Sequence, residues 1–390
     1  MLDWLIVGGG LHGVHLAHVL ITGRGALPDR LAILDPHPQL LARWTRLTAN
    51  TGMAYMRSPA VHHLDISPRA LHDFAASVAG LGVARFRGPY DRPSYALFQA
   101  HAAHVIRLSD LQPRQVVSAA HAIREVAGGY AVETGQGELR SRRVVLAIGR
   151  TDLALPRWAA ALMLAGAYVQ HVFSMTYCAA LPEANPRTVV VGGGITAMQV
   201  ALAQAADNHT PVTLLMRHSL REANFDSDPG WMGPKYLTGF HVLADWCERR
   251  ETIQRARNRG SAPPDVMRDL LRAQQAGQVD VVYDAVDTAN CREGVINLHL
   301  QSGAFLRAER VVLATGFAAQ CPGGAWLTTA IAALGLPCAP CGYPIVSASL
   351  QWRPGLYVMG PLAELEIGPV AGNIIGARMA AQRIARSATD

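Results

Sequence analysis

Two stretches of this chain repeat one pattern of apolar and polar positions. A short apolar run, Trp4-Leu5-Ile6-Val7, meets three glycines and passes into residues with helical apolar spacing, Leu11 to Thr22. Val189-Val190-Val191 does the same through Gly192-Gly193-Gly194 into Ile195 to Ala206. A second apolar run follows each helix pattern, Leu31 to Leu34 and Val212 to Met216. Uninterrupted runs of this length predict strands buried on both faces, so each copy reads as a βαβ unit on a parallel sheet. A later echo closes each copy: Arg143-Val144-Val145-Leu146-Ala147-Ile148-Gly149 matches Arg310-Val311-Val312-Leu313-Ala314-Thr315-Gly316. One more strand is expected at Leu356 to Met359. An amphipathic helix is expected over Gly372 to Arg386, with Ile374, Ile375, Met379, Ala380 and Ile384 on one face.

The expected fold class is therefore α/β, with two Rossmann-like dinucleotide-binding domains. Residues 1–154 would begin the first domain, and 155–186, marked by Pro156, Pro182 and Pro186, would be a crossover linker. Residues 187–318 would form the second domain with an insertion at 219–280, and 319–390 would complete the first.

The glycines carry the first chemistry. In G-x-G-x-x-G the first glycine makes a tight turn, the second lets a pyrophosphate approach the backbone, and the third lets helix and strand pack closely. Gly8, Gly10 and Gly13 stand at these places, and the helix start, Leu11-His12, offers free N–H groups to phosphate. Asp35, 22 residues past Gly13, is placed to accept from an adenosine ribose hydroxyl. The second copy reads Gly192, Gly194, Ile195, Thr196 and Ala197, and its second strand ends in Arg217 where the first has an acid. A carboxylate would repel a 2′-phosphate and a guanidinium would pair with it. FAD in the first site and NADPH in the second fit these features, with hydride passing between them.

Composition narrows the classes. Half of the 390 residues are apolar and 16% are charged, which excludes a disordered or fibrous chain. The net charge of +6 comes from 35 basic residues, of which Lys235 alone is lysine, without the aromatic-interleaved clusters of nucleic-acid binders. The densest run, Glu248 to Arg259, reads as a solvated helix face. The N-terminus lacks a signal-peptide pattern, Trp158 to Tyr177 is too weakly apolar to span a membrane, and six cysteines make no secreted framework. A cytoplasmic protein with no nucleic-acid or membrane partner is expected.

Smaller constellations have two readings each. Cys338-Ala339-Pro340-Cys341 is either a redox dithiol or a loop with two incidental cysteines. His62-His63 with Asp65 is either a metal or acid/base cluster or, as Pro59 and Pro68 around it favour, a turn with polar contacts, and no metal site is expected. Lys235 is either an ordinary surface lysine or an anion contact in a mobile segment.

Gly8 to Gly13, Gly192 to Ala197 and Val312-Leu313-Ala314-Thr315-Gly316-Phe317 resemble flavin-dependent monooxygenases and disulfide reductases, which share an Ala-Thr-Gly closing motif. Trp44 with Gly52 to Pro59 resembles a segment that folds over the flavin in the microbial ornithine and lysine N-hydroxylating monooxygenases. Phe225 to Trp231 is similar to that family's segment near nicotinamide and substrate, and Gly355 to Gly376 to the element closing over the isoalloxazine. The first closing motif departs from the pattern as Ala-Ile-Gly. The resemblance implies that Trp44, Met56, Arg57, Gly149, Gly316, Gly360 and Pro361 lie beside the cofactors. It also implies that NADPH reduces the flavin and that a C4a-hydroperoxide delivers oxygen from O2 to a small nucleophilic amine or sulfur substrate. No side-chain catalyst is named, because the flavin carries the chemistry. The alternative is an NADPH-dependent disulfide or quinone reductase that inserts no oxygen.

Overall fold

The computed structural model describes residues 1–179, 186–207 and 211–387, so Pro182 lies outside the described residues. Two parallel sheets organise them. In the larger, Gln115–Val117, Leu31–Asp35, Leu2–Val7, Gly137–Leu146 and Leu356–Val358 lie side by side in that order and run parallel. Gln351–Arg353 adds an antiparallel edge, and Ala120–Val126 and Gly129–Thr134 extend the long closing strand as an antiparallel meander. The smaller sheet has the order Val279–Tyr283, Val212–Met216, Thr188–Val191, Arg310–Leu313, Val169–His171, all parallel.

The two copies of the sequence pattern fold alike down to single hydrogen bonds. Gly8 N–H donates to Leu34 O at 2.8 Å and Gly192 N–H to Leu215 O at 3.0 Å. Ala147 N–H donates to Val7 O and Ala314 N–H to Val191 O, both at 2.8 Å. Helices Leu11–Arg24 and Ile195–Asp207 follow the two glycine turns. The C-terminal helix Ile374–Ser387 packs on the first of these and buries Ile374, Ala380 and Ile384.

The stretch expected as a linker is partly a structural element. Arg157–Leu164 is helical and Val169–His171 is the edge strand of the smaller sheet. The passage between sheets is made by two antiparallel threads. Ala154 N–H donates to Gly316 O at 3.0 Å, and Ala318 N–H donates to Asp152 O at 2.8 Å.

The insertion differs most from expectation. Trp231, Leu237, Phe240 and Ile253 are buried in the same apolar cluster as the strands of the larger sheet, away from the smaller sheet beside them in sequence. The run 248–259 is a solvated face only in part: Glu248, Glu251, Gln254 and Arg255 are exposed, but Arg249 and Arg250 on helix Trp246–Ala256 are 8% and 9% exposed. Arg249 Nη2 and Nε donate to His241 O and Leu243 O, and its Nη1 to Leu365 O. Charge patterning treats a guanidinium as seeking water. Here carbonyls of the insertion itself, together with carbonyls and carboxylates of the distant C-terminal part, satisfy it instead.

Candidate functional site

The first glycine turn is built as its three roles require. A Cβ on Gly8, whose φ is +119°, would meet Ala147 O at 2.5 Å, and one on Gly13 would meet Gly8 O at 1.9 Å. A Cβ on Gly10 would meet nothing within 4 Å. The chain therefore packs tightly around the first and third positions and leaves open space over the second, as a backbone cradle for pyrophosphate must. Gly9 N–H donates to Asp35 Oδ2 at 2.7 Å, so the acid is held against this turn. The other carboxylate oxygen, Oδ1, accepts from His37 N–H at 2.9 Å. His37 Nδ1 also meets Oδ1 at 2.9 Å, so Oδ2 is the oxygen that keeps a second lone-pair direction for a ribose hydroxyl.

His12 and Leu11 face the C-terminal segment. A Cβ on Gly360 would stand 3.6 Å from the His12 ring, and one on Gly372 would stand 3.5 Å from Pro361, which brings all four residues together. Burial pushes the His12 imidazole down to about 4, so the ring is neutral at pH 7. Neither of its buried nitrogens makes a well-formed hydrogen bond.

A cavity of about 330 Å³ opens beside this group. Leu11, Trp44, Arg57 and His62 line it from the N-terminal part and Val370 and Gly372 to Ile375 from the C-terminal part. The opposite wall is Phe225 to Pro229 with Met232. Trp44 is set by its neighbours, its ring centroid 5.8 Å from Tyr95 and 5.2 Å from Phe98. Arg57 reaches across the cavity: Nε donates to Asn224 O, and Nη2 donates to Ala223 O, Phe225 O and Ser261 Oγ, at 2.8–3.1 Å. Its guanidinium thus holds the far wall in place. Met56 is not at the cavity. It is 6% exposed within the apolar core, because the segment's alternation turns it inward while Arg57 faces out. Gly149 faces Arg43, whose Nη2 donates to Arg150 O at 2.9 Å.

The second glycine turn repeats the first with one difference. A Cβ on Gly192 would meet Ala314 O at 2.6 Å and Ala197 Cβ at 3.0 Å. Over Gly194, however, stands Gly260, with its Cα 3.6 Å from a Cβ built there, and the His218 ring lies against both Gly193 and Gly260. Ile195 and Thr196 begin the following helix. Arg217 is exposed at the strand end with no ion-pair or hydrogen-bond partner among the described residues, as a 2′-phosphate contact would be. Gly316, φ +81°, turns the chain into the crossing thread.

The remaining candidates lie elsewhere. Cys338 and Cys341 are half-buried against the core, outside the cavity lining, and burial pushes the Cys338 thiol up. A raised thiol is a poor nucleophile. Lys235 is 65% exposed, 4.0 Å from Asp228. Asp65 accepts from His18 at 3.4 Å and its own N–H donates to His63 Nδ1, a turn with polar contacts. Among the described residues no group of His, Cys, Asp or Glu could hold a metal ion, and no helix is long and apolar enough to cross a membrane. Sequence reasoning missed Arg43, Asn373 and Glu364. Only the position of the last, four residues past the Gly360-Pro361 turn, offered any signal.

Comparison with known proteins agrees with this geometry. The pyridine nucleotide-disulphide oxidoreductase family matches over residues 3–383. No curated protein matches the sequence. Solved structures with the same fold include the cadaverine monooxygenase of desferrioxamine biosynthesis from Erwinia amylovora, at 14% identity and TM-score 0.75, covering 100% of this chain and 94% of that one. L-lysine 6-monooxygenase from Pseudomonas syringae is 18% identical with TM-score 0.75, over 100% and 99% of the two chains. Bacillithiol disulfide reductase from Bacillus cereus is 16% identical with TM-score 0.63, over 99% and 98%.

Proposed function

The chain belongs to the pyridine nucleotide-disulphide oxidoreductase family, and from that premise we propose that it is an FAD-dependent, NADPH-using monooxygenase of a small amine or sulfur compound. The observation that carries this reading is the cavity. It lies between the start of the first dinucleotide helix and the 225–229 wall, and no cysteine lines it.

The residues fit both cofactors. Gly8, Gly10 and Gly13 would seat the FAD pyrophosphate, with Asp35 on the adenosine ribose and Gly360, Pro361 and Gly372 to Ile374 beside the flavin ring. Gly192, Gly194 and Ala197 would seat NADPH, with Arg217 on its 2′-phosphate. FAD, when bound, accepts hydride from NADPH and activates O2. The chain's own part is to orient and to exclude water. Trp44, Leu11, Val370 and Ile375 supply an apolar lining, and neutral His12 would add no charge to a flavin bound here. Arg57 fixes the 223–225 backbone so that wall and flavin side keep one spacing.

The fold alone is shared with amine monooxygenases and with a disulfide reductase. Favouring oxygen insertion over dithiol chemistry are the position of Cys338 and Cys341 away from the cavity and the raised Cys338 thiol. The test is oxygen uptake with NADPH across amines, thiols and sulfides, with product identified by mass. A gain of one oxygen by a substrate supports the proposal. NADPH consumption that yields only reduced disulfide or quinone refutes it.

A further inference from the structure

Glu364 is 0% exposed, and three guanidiniums converge on it. Arg150 Nη2 is 3.1 Å and Arg257 Nη2 3.0 Å from Oε2, and Arg250 Nη1 contacts Oε1. The partners come from separate parts of the chain: Arg150 opens the crossing thread, Arg250 and Arg257 belong to the insertion, and Glu364 follows the Gly360-Pro361 turn. Arg150 and Arg250 have further partners, donating to Ala318 O and Ala319 O, and Arg250 stacks over the Tyr343 ring at 4.2 Å. Arg257 has none. Its bond to Glu364 is the only side-chain hydrogen bond it makes among the described residues, and its Nε is buried without a partner.

The main chain at Arg257 is joined directly to the cavity wall. Ser227 and Arg257 form an antiparallel bridge, Asn258 N–H donates to Asp226 O at 2.6 Å, and Asn258 Nδ2 donates to Phe225 O at 2.9 Å. Three residues on, Gly260 stands over Gly194 of the second glycine turn. Four residues before Glu364, Gly360 stands against His12 of the first unit. One carboxylate therefore couples the elements that would hold the flavin to those that would hold the nicotinamide.

We propose that Glu364 is a positioning residue: through Arg257 it keeps the 225–229 wall and the 257–260 segment in register with the flavin side, and so sets the rate of hydride transfer without touching either cofactor. The proposal rests on the two-cofactor reading above. Without the carboxylate, three guanidiniums face one another, and Arg257, whose side chain has no other hydrogen bond and only the charge of Asp226 beside it, is the one released.

The test compares the holoenzyme with Glu364→Gln, Glu364→Asp and the double variant Glu364→Gln/Arg257→Gln. Anaerobic reduction of bound flavin by NADPH is followed in rapid mixing, and amide hydrogen exchange is followed at residues 223–229 and 257–261. Glu364→Gln is expected to slow reduction about tenfold or more, the scale of a misplaced reacting pair, with NADPH affinity little changed. Exchange at the two segments should quicken. Glu364→Asp should recover part of the rate. The double variant, which removes one stranded cation, should recover thermal stability but not rate, and it carries the test if the single variant does not fold. An unchanged reduction rate in Glu364→Gln overturns the proposal, as does a double variant that recovers rate along with stability. If the parent protein binds no flavin, the functional reading falls. The exchange comparison then decides the clamp alone: quicker exchange in the variant supports it and equal exchange overturns it.

Discussion

Replacing Gly10 by valine separates folding from cofactor binding. Gly10 has φ −78° and ψ −171°, an extended conformation open to any residue, and its Cβ would meet no atom of the chain within 4 Å. The folded state therefore gains no collision. An N-cap valine is poorer than glycine by roughly 0.5–1 kcal/mol, and the stiffer unfolded chain returns a similar ~0.4–1 kcal/mol. The net change in apoprotein stability should be within about 0.5 kcal/mol, which moves a melting temperature of a chain this size by only about one degree. Binding is another matter. The isopropyl group fills the space a pyrophosphate must enter, and each lost charge-assisted backbone contact costs about 1.5–3 kcal/mol. Two such contacts amount to ~3–6 kcal/mol, or about 10²- to 10⁴-fold in Kd for FAD. Gly13→Ala is the contrasting control, since its methyl would lie 1.9 Å from Gly8 O and must displace backbone. The assay is FAD titration of apoprotein by fluorescence quenching, with thermal unfolding of the same samples. Gly10→Val protein that binds FAD with parental affinity refutes the reasoning. So does Gly10→Val protein as unstable as Gly13→Ala.

Arg217→Ala should raise the KM for NADPH by about 10- to 150-fold, the worth of a ~1.5–3 kcal/mol phosphate contact, and leave that for NADH nearly unchanged. Equal use of both nucleotides by the parent protein would count against it. The double variant Cys338→Ser/Cys341→Ser should oxidise NADPH at the parental rate in steady-state assays, and loss of turnover would return the dithiol reading to favour. Burial holds His15 and His101 down to about 3 and His63 to about 4, against 6.5 when unfolded. The unfolded chain thus binds more protons between these values. Their contribution is whole above pH 6.5 and is lost progressively as pH falls toward the folded values of 3 to 4, each residue costing about 2 kcal/mol by pH 5. Denaturant titrations at pH 7.5 and 5 check this, and equal stabilities would refute it.

The duplicated turn was legible because its constraints are local. Gly8 and Gly13 are demanded by backbone contacts within the βαβ unit itself, and the helix starts at Leu11 and Ile195 follow from the glycines before them. Asp35 was legible through its spacing, though not its bond to Gly9. What escaped were the long-range pairings. Nothing near Arg250 in sequence announces a carboxylate more than a hundred residues away, so a dense charge run read as a wet helix face. Arg57 was expected beside a cofactor and lines the cavity, but its work on three main-chain carbonyls depends on a wall that only the fold assembles. Met56, its neighbour, could not be separated from it without knowing which side of the segment faces the core.

The burial of Trp231, Leu237, Phe240 and Ile253 among residues of the larger sheet bears on how such a chain can recombine. A cut-and-paste exchange of residues 187–318 looks natural on the repeat pattern. It would pull four core side chains out of the recipient's other half and strand Glu364 without two of its arginines. A graft that respects the packing must leave residues 223–257 with their host and exchange the nucleotide turn and its sheet around them. Inheritance of nucleotide preference and inheritance of the cavity wall are thereby separable in this architecture, though they sit side by side in the sequence.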